Sequence, residues 1–341
     1  MRSDTKKKQM EQRIRADVPL SVIYKDIQKD LERVEQTLKT FAESNNKLIA
    51  EVNSYIFEKK GKRIRPALLL LAANLMEYAG DEHIETCSLV EALHTASLIH
   101  DDIIDNSDLR RGKKTVHARW GANITVLLGD YLYIKTIGRS LSSSFPEIVR
   151  VLTDTSIQMI EGELLEYSLS RNLDITEEQY FEIIYKKTAA LFAASVRLGG
   201  ILGGADKKKE GYLEEYGAQF GMAFQIIDDL LDYTGDEKKL GKPVLSDLTE
   251  GRITLPLIYS LNNGNKADRR EIRKLIQEKE SAADYKQRIL SLLRSNGSLD
   301  KAYQKAESFS RAAQEAVSHF PESDFRRALT MISDYILTRN Q

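Results

Sequence analysis

Six aspartates in two matching groups are the residues of this sequence best suited to shared chemistry. Asp101, Asp102 and Asp105 close the stretch LHTASLIHDDIID, and Asp228, Asp229 and Asp232 lie in FQIIDDLLDYTGD. Each group reads DDxxD and follows an apolar, helix-like run. Residues four apart share one face of a helix, so each group sets two carboxylates one turn apart with a third beside them. If the two helices face one space, the carboxylates repel by several kcal/mol at an effective dielectric of about 20, or take up protons. A hard divalent cation removes that conflict. All-oxygen ligands select Mg²⁺ or Mn²⁺, and Mg²⁺ characteristically leaves positions for the phosphate oxygens of a substrate. Neither segment has the alternating acids and central glycine of a calcium loop. One DDxxD alone is more often a solvated helix end. Two copies on apolar helices, the first followed by Arg-Arg-Gly, reverse that balance.

The cations around the acids point to an anion. Arg110 and Arg111 follow the first group at once, where Asn106–Gly112 can turn back over it. Guanidinium groups bind phosphate oxygens bidentately, so the acids would hold the metal, and metal and arginines together would hold phosphate. A second basic group, Lys62, Arg63 and Arg65, precedes a buried helix expected to begin near Pro66. Cations at a helix N-terminus oppose its dipole unless an anion lies between them. His94 lies seven residues before Asp101 on the same face. Gln225 lies three before Asp228. Lys187 and Thr188 stand at the mouth of the apolar run TAALFAASVRLGG, and Lys242 follows the second acidic group by a short loop.

All of these residues need helices to carry them. Apolar side chains recur at three and four: Leu31, Val34, Leu38, Phe41, Leu48, Val52 and Ile56 fall on one helical stripe. Strand-like alternation is nowhere sustained, and the breaks between periodic runs are short. These features predict an all-α fold: one large helical bundle spanning residues 23–341, with a flexible polar arm over residues 1–22. Lysines and arginines number 50 against 51 acids, which leaves no basic excess for a nucleic-acid partner. The single cysteine, Cys87, excludes an intramolecular disulfide and a multi-thiolate zinc site. The N-terminus lacks the apolar core of a secretory signal, and no apolar run is long enough to cross a membrane. A cytoplasmic setting is the expectation.

Five motifs in order, GKRIRP, LHTASLIHDDIIDNSDLRRG, YKKTAALF, FQIIDDLLDYTGD and LGKP…SDLTEGRITLP, resemble those of the trans-isoprenyl diphosphate synthases, or polyprenyl synthetases. The likeness runs from about residue 30 onward. It implies an all-α bundle around a central apolar cavity and, by helix–helix packing, a homodimer. It implies that Asp101, Asp102, Asp105, Asp228, Asp229 and Asp232 serve the Mg²⁺ ions that bind an allylic diphosphate. Arg110, Lys187, Thr188, Gln225 and Lys242 would contact that substrate, and Lys62, Arg65, His94 and Arg111 would bind isopentenyl diphosphate. Three departures stand out: Lys60 where a second glycine is frequent, Leu245 where glycine is common, and Arg252 in place of the usual lysine.

The chemistry expected from these parts is ionisation of the allylic C–O bond, attack by the isopentenyl double bond and loss of a proton, with the departed diphosphate as acceptor. A terpene cyclase or head-to-head condensing enzyme is the enzymatic alternative, but it needs no second diphosphate site of the GKRIRP kind. A non-catalytic subunit of a heteromer would be expected to have lost its acids. Product length is read from Ala96 and Ser97, one turn before the first aspartates. A tail fixed at Asp101 and Asp105 runs back along this helix, which rises about 5.4 Å per turn, near the length of one isoprene unit. Both residues are small, so the expected product is a long all-trans chain suited to a quinone side chain, rather than a farnesyl or geranylgeranyl diphosphate. Its release suggests a peripheral membrane contact.

Overall fold

A computed structural model of the chain describes residues 18–58, 61–110, 112–235, 244–278 and 282–339. These residues are almost entirely helical. After Leu20–Ile23 (α1) and a 3₁₀ turn come Gln28–Ala42 (α2), Lys47–Phe57 (α3), Ile64–Leu75 (α4) and Glu82–Ile104 (α5). A hairpin of Leu109–Arg110 (β1) and Lys113–Lys114 (β2) leads to Val116–Trp120 (α6), Ala122–Ser140 (α7) and Pro146–Leu169 (α8). Glu177–Ile184 (α9) passes through a π-helical turn, Tyr185–Ala189, into Ala190–Leu202 (α10), and Lys207–Thr234 (α11) follows. The remaining helices are Ser246–Glu250 (α12), Leu255–Asn263 (α13), Lys266–Glu278 (α14), Ala282–Ser295 (α15), Ser298–Ser318 (α16) and Asp324–Thr338 (α17).

The periodic stripe expected over residues 31–56 is two helices, not one. Asn46 caps α3 by accepting from the Leu48 and Ile49 amides, and the break turns Leu48 outward to 41% exposure. Leu31, Val34, Leu38, Phe41 and Val52 are buried as their spacing predicts. The expected N-terminal arm overlaps α1, whose Ile23 is buried and which packs on α17; residues 1–17 lie outside the described residues.

Helix α4 is apolar on every side, with Leu68 to Leu71 buried in succession, as befits a helix packed all round. Helix α11 packs most extensively against α10 and α16 and runs through both clusters of buried apolar side chains. At about 1.5 Å per residue it spans roughly 42 Å. Small residues allow its approach to α10: a Cβ at Gly217 would lie 2.6 Å from the Ala193 Cα. Helix α5 stops after its acids because Asn106 takes a left-handed conformation, φ 49°. The Ser107 amide then reaches back to the Asp102 carbonyl at 2.9 Å.

Candidate active site

The C-terminal half of α5, the π turn, the C-terminal half of α11 and the segment around α12 surround one cavity of about 1130 Å³. All six aspartates line it, with Arg65, His94, Ser97, Arg110, Lys187, Thr188 and Gln225. Lys62 lines its mouth. The two acidic groups thus share one space. Arg111 and Lys242 lie outside the described residues. Ala96 is fully buried in the packing of α5 and does not line the cavity, whereas Ser97 does, its hydroxyl donating to the His94 carbonyl at 2.8 Å.

The acids differ in their partners. Asp102 is buried and accepts from Arg110 Nε at 2.6 Å. Asp105 accepts from Arg252 Nη1 at 2.8 Å, and the same guanidinium bonds Asp247 at 2.9 Å and pairs with Glu250. Asp228 pairs with Arg339. Three of the six acids therefore hold arginines directly. Close packing brings those guanidinium groups within reach. Asp229 is buried and accepts from Tyr180 Oη at 2.6 Å and Gln225 Nε2 at 2.7 Å; the Gln225 carbonyl in turn accepts from Thr188 Oγ1 at 2.7 Å. Asp232 accepts from Ser246 Oγ at 2.6 Å and the Asp247 amide at 3.2 Å, so it fixes the start of α12.

Burial pushes the Asp101 carboxyl up to about 7, with Lys187 opposing and Glu163 and Asp105 adding to the rise. Burial also raises Asp102, against the pull of Arg110. Asp229 is pushed up to about 8 by burial and then by Asp247, while the bonds from Tyr180 and Gln225 oppose the shift. Among the described residues no three carboxylate, histidine or cysteine side chains converge as a ready-made metal cage. The donor set nevertheless fits Mg²⁺. It is all hard oxygen, partly desolvated and short of positive charge, and Mg²⁺ is usually held by one or two carboxylates plus substrate phosphates.

On the opposite wall, the π turn inserts a wider coil between α9 and α10 and directs Lys187 and Thr188 into the cavity together. Lys187 bonds Glu163 at 2.7 Å and also pairs with Glu166, both on α8. Burial alone would lower its pKa, but Glu166, Glu163 and Asp101 hold it above the ordinary lysine range. The α8 backbone is pressed against this turn: a Cβ at Gly162 would meet the Lys187 amide nitrogen at 2.7 Å.

The second basic group divides. Arg63 occupies the N-cap position of α4, which begins at Ile64, near Pro66 as expected. Its backbone is left-handed, φ 51°, and its guanidinium bonds Glu35 at 2.5 Å and pairs with Glu91. It is therefore consumed in holding α2, α4 and α5 together. Arg65 faces the cavity, stacked 4.1 Å from the Phe192 ring centroid, with Nε unpartnered and its pKa pushed down to about 10 by burial. Phe192 lies 5.0 Å from Phe224, over which Arg339 stacks at 3.9 Å.

Sequence reasoning missed Arg339, Tyr180, Glu163 and Glu166. The pair Glu163 and Glu166, three apart on a helix behind a glycine, was a usable signal; Arg339 and Tyr180 are brought in only by tertiary packing. Leu245 occupies the left-handed region at φ 57°, the conformation that glycine adopts without cost. Its complete burial offsets the strain.

The sequence model of a family described as polyprenyl synthetase matches residues 46–293. Octaprenyl diphosphate synthase from Escherichia coli is 38% identical over 298 residues, covering 87% of this chain and 92% of the relative. A short chain isoprenyl diphosphate synthase from Methanothermobacter thermautotrophicus is 35% identical over 311 residues, covering 89% of this chain and 94% of the relative. Among solved structures, a polyprenyl synthase from Caulobacter crescentus complexed with calcium and isoprenyl diphosphate has a TM-score of 0.90 at 31% identity, covering 96% of this chain and all of that one.

Proposed function

Because this chain belongs to the polyprenyl synthetase family, the trans-isoprenyl diphosphate synthases, and is a prenyltransferase, we propose that it extends an allylic diphosphate head-to-tail with isopentenyl diphosphate to a long all-trans polyprenyl diphosphate. The observation that carries this reading is the convergence of both acidic groups, Lys187 and Arg65 on one cavity.

Mg²⁺ bound by Asp101, Asp102, Asp105, Asp228, Asp229 and Asp232 with the allylic diphosphate would supply charge neutralisation of the leaving group. The bonds of Asp102 to Arg110 and of Asp232 to the start of α12 also hold the two groups in place. Arg110, Lys187, Thr188, Gln225 and Lys242 orient the allylic diphosphate and stabilise the charge that grows on it. Lys62, Arg65, His94 and Arg111 hold isopentenyl diphosphate so that its double bond faces the allylic carbon. The aromatic and aliphatic wall of Ile183, Ile184, Phe192 and Phe224 keeps water from the allylic cation. The C–O bond breaks first, its electron pair leaving with the diphosphate; the isopentenyl double bond then attacks the allylic cation, and the proton lost from the isopentenyl carbon passes to the departed diphosphate.

Small residues at 96 and 97 support a long product of six or more isoprene units. Leu127, Ile134, Leu164 and Tyr167, 65–73% exposed on α7 and α8, support a homodimer through that face. No described helix is long and apolar enough to cross a membrane; the apolar product favours a cytoplasmic enzyme that touches a lipid surface only to release it. The test is incubation of the purified protein with Mg²⁺, isopentenyl diphosphate and farnesyl diphosphate, followed by chromatography of the products by length. Linear products of six or more isoprene units uphold the reading. Geranylgeranyl diphosphate alone would make it a shorter-chain synthase, and no elongation would refute it.

A further inference from the structure

Two strands of two residues each do not hold a hairpin together in water, yet β1–β2 carries Arg110 to the rim of the cavity. The brace comes from α3, more than fifty residues away in sequence. Tyr55 Oη donates to the Lys114 carbonyl at 2.7 Å. Its ring meets Trp120 edge-on with centroids 5.1 Å apart. The Arg119 guanidinium lies 4.6 Å from the Tyr55 ring and 4.3 Å from the Trp120 ring, and Lys113 Nζ lies 5.6 Å from the Tyr55 ring. Lys113 also bonds Glu58 at 2.6 Å, one turn further along the chain from Tyr55. Tyr55 itself lines the cavity, as do Lys113 and Lys114. Lys62, and Arg65 in the first turn of α4, follow within ten residues of Tyr55 in the sequence.

We propose that Tyr55 is a positioning residue for diphosphate binding, locking the hairpin that carries Arg110 to the segment that carries Lys62 and Arg65, so that both cationic sites face the cavity in a fixed relation. The proposal rests on the diphosphate chemistry proposed above. The side chain does no chemistry itself. Its hydroxyl fixes the β2 backbone and its ring fixes the cations that flank it, so binding does not have to order the hairpin first.

Trp120 is the only tryptophan in the chain and belongs to this brace, so its emission reports the hairpin without interference. The decisive variant is Tyr55→Phe, which keeps the ring and removes one hydrogen bond. The KM for the allylic diphosphate, which Arg110 contacts in the proposed function, should rise about two- to tenfold, the range expected for one such bond, with kcat at saturation within about twofold. Titration with inorganic pyrophosphate and Mg²⁺, followed through Trp120, should show a half-saturation point raised by a similar factor. Tyr55→Trp is unsuitable because it adds a second fluorophore; Tyr55→Leu, which also loses the ring, should weaken both readouts further. An unchanged KM and an unchanged pyrophosphate titration in Tyr55→Phe would overturn the proposal. So would a lowered kcat or melting temperature with both binding readouts intact, since that is the mark of a purely structural residue. Failure of the wild-type protein to elongate any substrate would refute the function instead, and the pyrophosphate titration would still decide the brace.

Discussion

Among the six aspartates, Asp101 differs most from its neighbours. Asp102, Asp105, Asp228, Asp229 and Asp232 each accept a short hydrogen bond from a protein donor within the site. Asp101 is desolvated beside Glu163 and Asp105, and its carboxyl is pushed up to about 7. A group in that state is costly to ionise without a cation, so its removal should not harm the fold. Asp101→Ala and Asp228→Ala are each expected to lower kcat by on the order of 10²-fold or more, comparable to deleting one preorganised charge-stabilising group, with helical content by circular dichroism unchanged. Turnover near wild type at saturating Mg²⁺ would remove these residues from the metal site. The spacing of the acids and of Lys187, Thr188 and Gln225 was legible in the sequence because each motif lies within one or two helical turns. Arg252 on Asp105 and Arg339 on Asp228 were not, because their partners lie 147 and 111 residues away.

At the scale of elements, the functional load falls on α5, the π turn and α11. Helical periodicity marked α5 and α11 from the sequence. It could not mark the π turn, since one extra residue in a coil leaves no trace in a 3.6-residue pattern. Nor could it mark the split of α2 from α3, which depends on the Asn46 cap. In the proposed function, helix α5 also serves as the ruler for product length. Ser97 lines the cavity one turn below Asp101, while Ala96 is buried beside it. An aromatic at 97 would enter the cavity directly, whereas one at 96 would have to displace packed neighbours. Ser97→Phe is therefore expected to shorten the main product by several isoprene units with activity retained, and Ala96→Tyr to do so with some loss of stability. Identical product distributions from wild type and Ser97→Phe would end the ruler argument.

For the whole molecule, the apolar side chains that find no partner within the chain are concentrated on α7 and α8. Leu127, Ile134, Leu141, Ile160 and Leu164 are all more than half exposed, a pattern that a lone soluble domain rarely tolerates. Burying such residues against a second copy removes about 25 cal/mol per Å² of apolar surface from water. Ile134→Asp combined with Leu164→Asp should shift the protein from dimer to monomer by light scattering. A wild-type monomer at micromolar concentration would refute the association.

The two ion pairs that reach farthest along the sequence, Asp105 with Arg252 and Asp228 with Arg339, also set the order in which the molecule can be made. Helices α5 and α11 can form from local contacts, but Asp105 and Asp228 are synthesised well before their arginines. Arg252 emerges almost 150 residues after Asp105, and Arg339 more than 100 after Asp228. Local helix formation is fast, while closing contacts over such distances is slow. The nascent chain therefore carries the unneutralised acids through most of its synthesis, and the catalytic chamber is the last part of the protein to exist.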